Sequence, residues 1–421
     1  MYAIVDANNF YASCERLFQP QLSNTPIVVL SNNDGCVIAR SNEAKALGVA
    51  MGVPYFEIKQ FAKRYKVRVF SSNYAFYGDM SNRIMSILES QWPEVAVYSI
   101  DEAFLDLSLL PESKHGEFCW QLQKKVRQCT GIPVSIGIGP TKTLAKLANH
   151  VAKKCLKQPV FNITNEMGWL KSIDVADVWG VGRKWSKKLI SLGVKSAYDL
   201  SEVDHVIFRR KFSVVLERTI MELRGIDCIE LDIGASKKQI ISSKSFGKMQ
   251  TSYTPIAQAL SNYVARATEK LRKQGSLAST LSVFLRTNPF REDLPYCSKS
   301  IGLQLVNPSD DVRVLTSAAK RCLKQIYQEG FHYKKTGVML SGLVNKSQQQ
   351  LMLFDNVSDD DQLQNERLMG VLSDINQKFG RYSIHMAAEG VGKKSSWQMR
   401  SSHRTQRYTT CWDELPVVYA D

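Results

Sequence analysis

The sequence predicts a multidomain α+β fold, and three observations carry that prediction. At 421 residues the chain is long enough for several domains. Its N-terminal part places an apolar strand, Met1 to Val5 ending in Asp6, ahead of a second apolar run, Val95 to Leu107, which reads as strand, tight turn, strand. Beyond a polar Lys/Ser-rich stretch, Gly234 to Ser243, the patterns run strand, helix, strand, strand, helix, strand, the order of a split βαβ domain.

Hydrophobic residues make up 44% of the chain, ample for packed cores. Lysine and arginine number 55 against 40 acidic residues, a formal net charge of +15. Such an excess favours a polyanionic partner, nucleic acid first and an anionic membrane surface second. No apolar run is long enough to span a bilayer, and the N-terminus has neither the basic start nor the cleavage site of a signal peptide. Nine cysteines include no C-x-x-C pair, so neither a zinc finger nor a disulfide framework is indicated. The expectation is a cytoplasmic protein with reduced thiols and no membrane partner.

After Asp6, the run Asn8-Asn9-Phe10-Tyr11 turns the chain into a short helix through Ala12 to Glu15. By itself Tyr11 fits an ordinary core aromatic. Pro26 to Leu30 is a short buried strand, and Ser31 to Gly48 after it carries little side-chain bulk, with Gly35, Ala39, Ser41, Ala44 and Ala46. Asp79 to Leu88 is an amphipathic helix with Met80, Ile84, Ile87 and Leu88 on one face.

In a plain strand neighbours point to opposite faces, so Asp101 and Glu102 share a site only if the chain turns there. Adjacent carboxylates in an apolar run are costly unless compensated, and strands laid side by side bring Asp6 to the same sheet edge. Three hard oxygen ligands with no His or Cys nearby suit Mg²⁺ rather than zinc, and a pair of such ions is a standard device for in-line phosphoryl transfer. The same spacing also fits a capped turn at Asp6 and a solvated acidic hairpin tip.

Val134, Ile136 and Ile138 alternate with Ser135, Gly137 and Gly139, a strand with one bare face that something approaches closely, a tightly packed helix or another partner. Thr141 caps a helix whose apolar positions Leu144, Leu147, Ala148 and Val151 leave Lys142, Lys146 and Lys153 largely off that face. Asp177 to Arg183, followed by Leu189, reads as a helix-hairpin-helix or a generic αα-hairpin. In the first case Gly180-Val181-Gly182-Arg183 offers backbone amides to DNA phosphate without regard to base sequence, and Gly193 ends the second helix.

In the βαββαβ unit, Thr254-Pro255 opens the first helix and Val314 to Tyr327 supplies the second. Lys237, Lys238, Lys244, Lys248 and Arg286 are candidate phosphate contacts there, each also readable as a solvated surface charge. Gln350-Leu351-Met352-Leu353-Phe354 has the form of a sliding-clamp-binding peptide, in which Gln350 anchors by hydrogen bonds and Leu353 and Phe354 fill an apolar pocket; the first turn of a packed helix is the other reading. From Gln362 the chain is partly helical, through Leu368, Val371, Leu372 and Ile375, then irregular and basic.

Asp6 to Tyr11, together with Ser99-Ile100-Asp101-Glu102-Ala103, resembles the signature of the Y-family translesion DNA polymerases. Ser31 to Arg40 and Thr141 to His150 resemble the UmuC branch, the catalytic subunit of bacterial DNA polymerase V and its plasmid-borne relatives, and the likeness runs over essentially the whole chain. It implies a right-hand polymerase. A ferredoxin-like palm spans 1–165 with small fingers inserted at about 20–75, and a helical helix-hairpin-helix thumb spans 166–235. The βαββαβ little finger spans 236–346, and the clamp peptide and C-terminal tail span 347–421. The implied activity is error-prone, template-directed translesion synthesis in the SOS response, without proofreading.

On this resemblance Asp6 and Asp101 bridge two Mg²⁺ ions beside the main chain of Ala7, and Glu102 completes the catalytic site that activates the primer 3′-hydroxyl. Tyr11 becomes the steric gate against a 2′-hydroxyl, and Asn9 and Phe10 join it in holding the nucleotide. Ile38 and Ala39 lie against the nascent base pair, while Asn42, Lys45 and Lys146 reach the triphosphate. Lys45 stands where the family usually has Arg, so it neutralises charge without the guanidinium fork. Asp106 receives no metal and is structural. The implied partners are primer-template DNA and dNTP, a UmuD′-type accessory dimer, a RecA filament and the beta sliding clamp, at the nucleoid.

Overall fold

The computed structural model describes all residues except 232–235, 349–358, 381, 391–394 and 418–421. The chain divides into two compact units, Met1–Ile233 with Ser402–Asp421, and Gly234–Ser401.

The first unit begins with β1 (Tyr2–Ala7) and α1 (Phe10–Leu17). Next, β2 (Ile27–Leu30), β3 (Val37–Arg40) and β4 (Arg68–Ser71) make a small sheet ordered β3-β2-β4, with α2 (Asn42–Ala46) and α3 (Tyr55–Arg64) between the last two strands. All four residues of β2 are buried, as an unbroken Ile-Val-Val-Leu run requires. Then come α4 (Tyr74–Gln91), β5 (Val95–Val97), β6 (Glu102–Asp106), α5 (Glu112–Thr130), β7 (Val134–Gly139), α6 (Lys142–Val151) and β8 (Val160–Asn162). α4 extends beyond the expected helix at both ends.

The main sheet is ordered β5-β6-β1-β7-β8, so β1 is central, antiparallel to β6 and to β7. Ala3, Val5 and Ala7 pack into the core shared with α4 and α5, whereas Ile4 clusters with Phe104 and with Ala145 of α6. The partner of the bare face of β7 is therefore α6. A Cβ on Gly137 would lie 2.2 Å from the Ala145 carbonyl oxygen and 2.2 Å from the Asn149 nitrogen, and one on Gly139 would lie 2.8 Å from the Ala145 nitrogen.

Four helices complete this unit: α7 (Arg183–Ser191), α8 (Ala197–Glu202), α9 (His205–Lys211) and α10 (Val214–Leu223). The element ahead of Gly180 is a single 3-10 turn, Val175–Asp177. The fully buried Glu222 fastens the helical part to the start of α6, accepting from the Thr143 nitrogen at 2.9 Å and from the Cys228 and Ile229 nitrogens at 3.1 Å. A buried carboxylate is tolerable only with such a set of donors.

In the second unit, β9 (Ile240–Gln250), α11 (Tyr253–Lys273), β10 (Ser276–Thr287), β11 (Ser298–Ser309), α12 (Val312–Ile326) and β12 (Tyr333–Asn345) follow the expected βαββαβ order. Their antiparallel sheet is ordered β11-β10-β12-β9, with α11 and α12 packed over Leu281, Val283 and Leu285. Pro255 lies within the first turn of α11 rather than at its first position. α13 (Asp359–Lys378) buries Met369, while Leu368 and Val371 are exposed. On the same helix Leu372 and Ile375 are half-buried, and Asn365 accepts from Arg313 Nη2 at 2.5 Å. Among the described residues no helix is long and apolar enough to cross a membrane.

Candidate active site

The register of β1 sets Asp6 opposite Glu102 on β6 and Ser135 on β7. The turn before β6 is tied to the same place, because the Ala7 nitrogen donates to the Asp101 carbonyl oxygen at 2.8 Å. Ser99 shapes that turn: its Oγ donates to Asp101 Oδ1 at 2.6 Å and accepts from the Glu102 nitrogen at 3.1 Å. Asp6, Asp101 and Glu102 thus gather at one end of the sheet. Asp106 pairs with Tyr2 at the far end of β6 and caps a turn by accepting from the Ser108 nitrogen at 2.9 Å.

Alternation along β1 puts Asp6, like Ile4, on the α6 side. There Lys146, Asn149 and Lys153 recur at i, i+3 and i+7. Lys153 Nζ lies 2.5 Å from Asp6 Oδ1, and Asn149 Nδ2 donates to Asp6 Oδ2 at 3.0 Å. Lys146 Nζ lies 2.8 Å from Glu102 Oε1 and 4.5 Å from the centre of the Tyr98 ring. Lys153 sits in a π-helical turn, Ala152–Leu156, that continues α6. Sequence reasoning left Lys153 and Asn149 unassigned; their spacing of seven and three residues from Lys146, one helix face, was the available signal.

Burial pushes the Glu102 carboxyl upward; Lys146 opposes that rise, while the charges of Asp6 and Asp101 add to it. Among the described residues no three acidic, His or Cys side chains converge as a preformed metal cage. The donor set is nonetheless all hard oxygen, which suits Mg²⁺ better than zinc.

A second cluster faces Asp6 from α2. Asn9, left-handed at φ 48°, precedes α1 and accepts from Lys45 Nζ at 2.5 Å through Oδ1, while its Nδ2 donates to Asn42 Oδ1 at 3.0 Å. Burial lowers the Lys45 pKa, and the neighbouring charges of Arg40 and Lys153 lower it further, against Asp6. Cations crowded to that degree suit a polyphosphate. Asn9, Asn42 and Lys45, separate in the sequence, thus form one group.

Tyr11 is half-buried, with its ring on that of Tyr77. Burial raises its phenol pKa, with Tyr74 and Asp101 contributing. Phe10 is 3% exposed and belongs to the core, leaving its main chain as the accessible part. Ile38 and Ala39 are half-buried on β3.

Gly180 has φ +87°, a conformation open to glycine, and Gly182 caps α7, which begins at Arg183; Val181 is buried. Lys244 and Arg286 do not share a face. Lys244 falls in register with the buried Ile240 and Ser242, on the face of Leu285, whereas the exposed Arg286 falls between the buried positions of β10 and lies on the open side beside Phe284. Gln350 to Phe354 lie outside the described residues.

The model of the impB/mucB/samB family matches residues 5–150, and that of its C-terminal domain matches residues 237–353. A domain of unknown function matches residues 366–418. Protein UmuC of Salmonella typhimurium is 44% identical over 99% of each chain. The chain belongs to the impB/mucB/samB family. Within that family Protein ImpB of Salmonella typhimurium is 41% identical over 99% of each chain, and Protein MucB of Escherichia coli 38% over the same share. DNA polymerase IV of Bacillus velezensis is 25% identical over 94% of each chain. Among solved structures, a Y-family DNA polymerase chimera aligns at TM-score 0.63 and 22% identity, covering 82% of this chain and 100% of that one. An insertion ternary complex of Dbh DNA polymerase aligns at TM-score 0.56 and 20% identity with the same coverage. The fold is that of the Y-family polymerases, as the sequence motifs implied.

Proposed function

We propose that this chain is a template-directed DNA polymerase that extends primers across damaged template, acting in the SOS response without proofreading. The observation that carries the reading is the placement of Asp6, Asp101 and Glu102 at one sheet end, faced by Lys45, Lys146 and Lys153 and bordered by Tyr11. Carboxylates beside a cationic cradle suit a site that joins a primer hydroxyl to a nucleoside triphosphate. The substrates are primer-template DNA and dNTPs.

Asp6 and Asp101, with the main chain of Ala7, would hold two Mg²⁺ ions, and Glu102 would complete the second position. Bound there, the ions supply charge neutralisation at the attacking and leaving oxygens. The chain's own residues do the rest. Lys45 and Lys146 neutralise the triphosphate, Asn9 and Asn42 orient it, Tyr11 occupies the space of a 2′-hydroxyl, and Ile38 and Ala39 form a low-bulk lid. The names DNA polymerase IV and Y-family DNA polymerase among the relatives and structural neighbours support this.

The palm spans 1–165 with fingers at about 20–75, the thumb 166–235, the little finger 236–346 and the tail 347–421. Gly180 to Arg183 and Arg286 contact DNA backbone, whereas Lys244, on the other face of its sheet, is not part of that surface. Gln350 to Phe354 engage the beta sliding clamp, and a UmuD′-type dimer and a RecA filament are the further partners, in the cytoplasm at the nucleoid. The test is a labelled primer-template incubated with Mg²⁺ and dNTPs. Extension that Asp101→Asn abolishes without loss of DNA binding supports the polymerase; shortening of the primer instead would make it a nuclease built on the same carboxylates.

A further inference from the structure

Tyr11 does not stand alone at the edge of the site. Its ring lies 4.4 Å from that of Tyr77, at an interplanar angle of 17°. Tyr77, on α4, is fully buried and donates its hydroxyl to Glu15 Oε1 at 2.5 Å. Glu15 follows Tyr11 by one turn of α1 and is also fully buried. Its Oε1 takes a second donor from the far end of the chain, Thr405 Oγ1 at 3.2 Å.

The same C-terminal segment grips the start of α4. Asn73, the cap of that helix, donates through Nδ2 to Thr405 Oγ1 at 3.2 Å and to the Gln406 carbonyl oxygen at 3.1 Å. Its own carbonyl accepts from the Tyr77 nitrogen at 3.0 Å. Tyr408 stacks on Phe18 just past α1, with ring centres 4.8 Å apart, and packs edge-on against Phe76 of α4. Asn73, Thr405, Glu15 and Tyr77 therefore form one hydrogen-bonded path that ends under Tyr11.

We propose that Thr405 is a positioning residue for nucleotide sugar selection: through Glu15 and Tyr77, the C-terminal segment fixes the ring on which Tyr11 rests. The proposal rests on the reading of Tyr11 as the steric gate. Stacked rings have no directional lock and slide over one another at little cost, whereas a phenol anchored at its hydroxyl cannot. Rejection of a 2′-hydroxyl depends on space of about an ångström, a displacement that alone can alter rates severalfold or more. The last part of the region matching a domain of unknown function thereby gains a role inside the polymerase unit.

The experiment compares kcat/KM for matched deoxy- and ribonucleotides in the full chain and in Thr405→Val, Thr405→Ser, Tyr77→Phe and Tyr11→Ala. Thr405→Val keeps the side-chain shape and removes the hydroxyl. Discrimination should fall about fivefold, or ~1 kcal/mol, what one hydrogen bond contributes, with deoxynucleotide kcat/KM held within about twofold. Thr405→Ser should restore it, and Tyr77→Phe should shift it the same way as Thr405→Val. A ratio unchanged in both Thr405→Val and Tyr77→Phe, or an equal loss for both sugars together with a lower Tm, overturns the proposal. If Tyr11→Ala moves the ratio and the others do not, the gate stands and the tail's part in it is refuted. If Tyr11→Ala leaves the ratio unmoved, the gate itself is refuted and the proposal falls with it.

Discussion

Replacing Glu15 with Gln should flatten the dependence of stability on pH. Glu15 is completely buried, and burial pushes its carboxyl from the ordinary 4.5 up to about 7, against the lowering effect of the Tyr77 and Thr405 hydroxyls. A folded-state pKa raised in this way favours folding fully below the unfolded value, and that contribution is lost as pH rises through the folded value. From about pH 5.5 to about pH 8 the parent should lose about 2 kcal/mol that the Gln variant keeps, out of about 3 kcal/mol over the whole titration. The titratable neighbours Cys14, Tyr77 and Tyr408 are all pushed upward by burial and stay neutral across this window. Thermal melting of both proteins at the two pH values reads the effect. For a unit of this size the gap in Tm should widen by about 4–8 °C toward the alkaline end. A gap independent of pH, or one that narrows, would show that Glu15 titrates normally and that its burial is relieved by some other group.

Gly137→Ala should destabilise by about 1–3 kcal/mol, because the new methyl meets the main chain of α6. Primer extension should fall with it, whereas Gly116→Ala, where nothing lies within 4 Å, should raise Tm slightly. Lys146→Ala should raise KM for dNTP more than it lowers kcat if its ammonium serves the triphosphate; an unchanged KM confines it to Glu102. Replacing Leu353 and Phe354 with Ala should leave single-nucleotide addition intact and abolish stimulation by loaded clamp, whereas loss of basal activity with earlier melting would place those residues in a packed helix.

The sheet that carries the site was legible because its strands are apolar runs of the right length. The Thr141 cap was equally clear, since its hydroxyl does accept from the Leu144 nitrogen. Adjacency of Asp6 to Glu102 needed only strand pairing. What the sequence hid depends on contacts between distant segments. Lys153 reaches Asp6 only because α6 runs on into a wider turn. Thr405 finds Glu15 across 390 residues, and no local pattern encodes such a pair. Lys244 and Arg286 both looked like phosphate contacts, yet strand alternation sends them to opposite faces.

The contact between α6 and β7 has a consequence for how this enzyme can change over time. Most helices rest on sheets through layers of side chains, and each substitution in such a layer alters its thickness. At Gly137 and Gly139 no such layer exists, and the spacing between helix and strand is fixed by peptide groups whose dimensions no substitution alters. Lys146, Asn149 and Lys153 ride on that helix, and Asp6 lies on the strand next to it. The core around them is therefore free to drift in sequence while the separation of charges at the sheet end is inherited unchanged. The constraint is concentrated at two positions that admit only hydrogen.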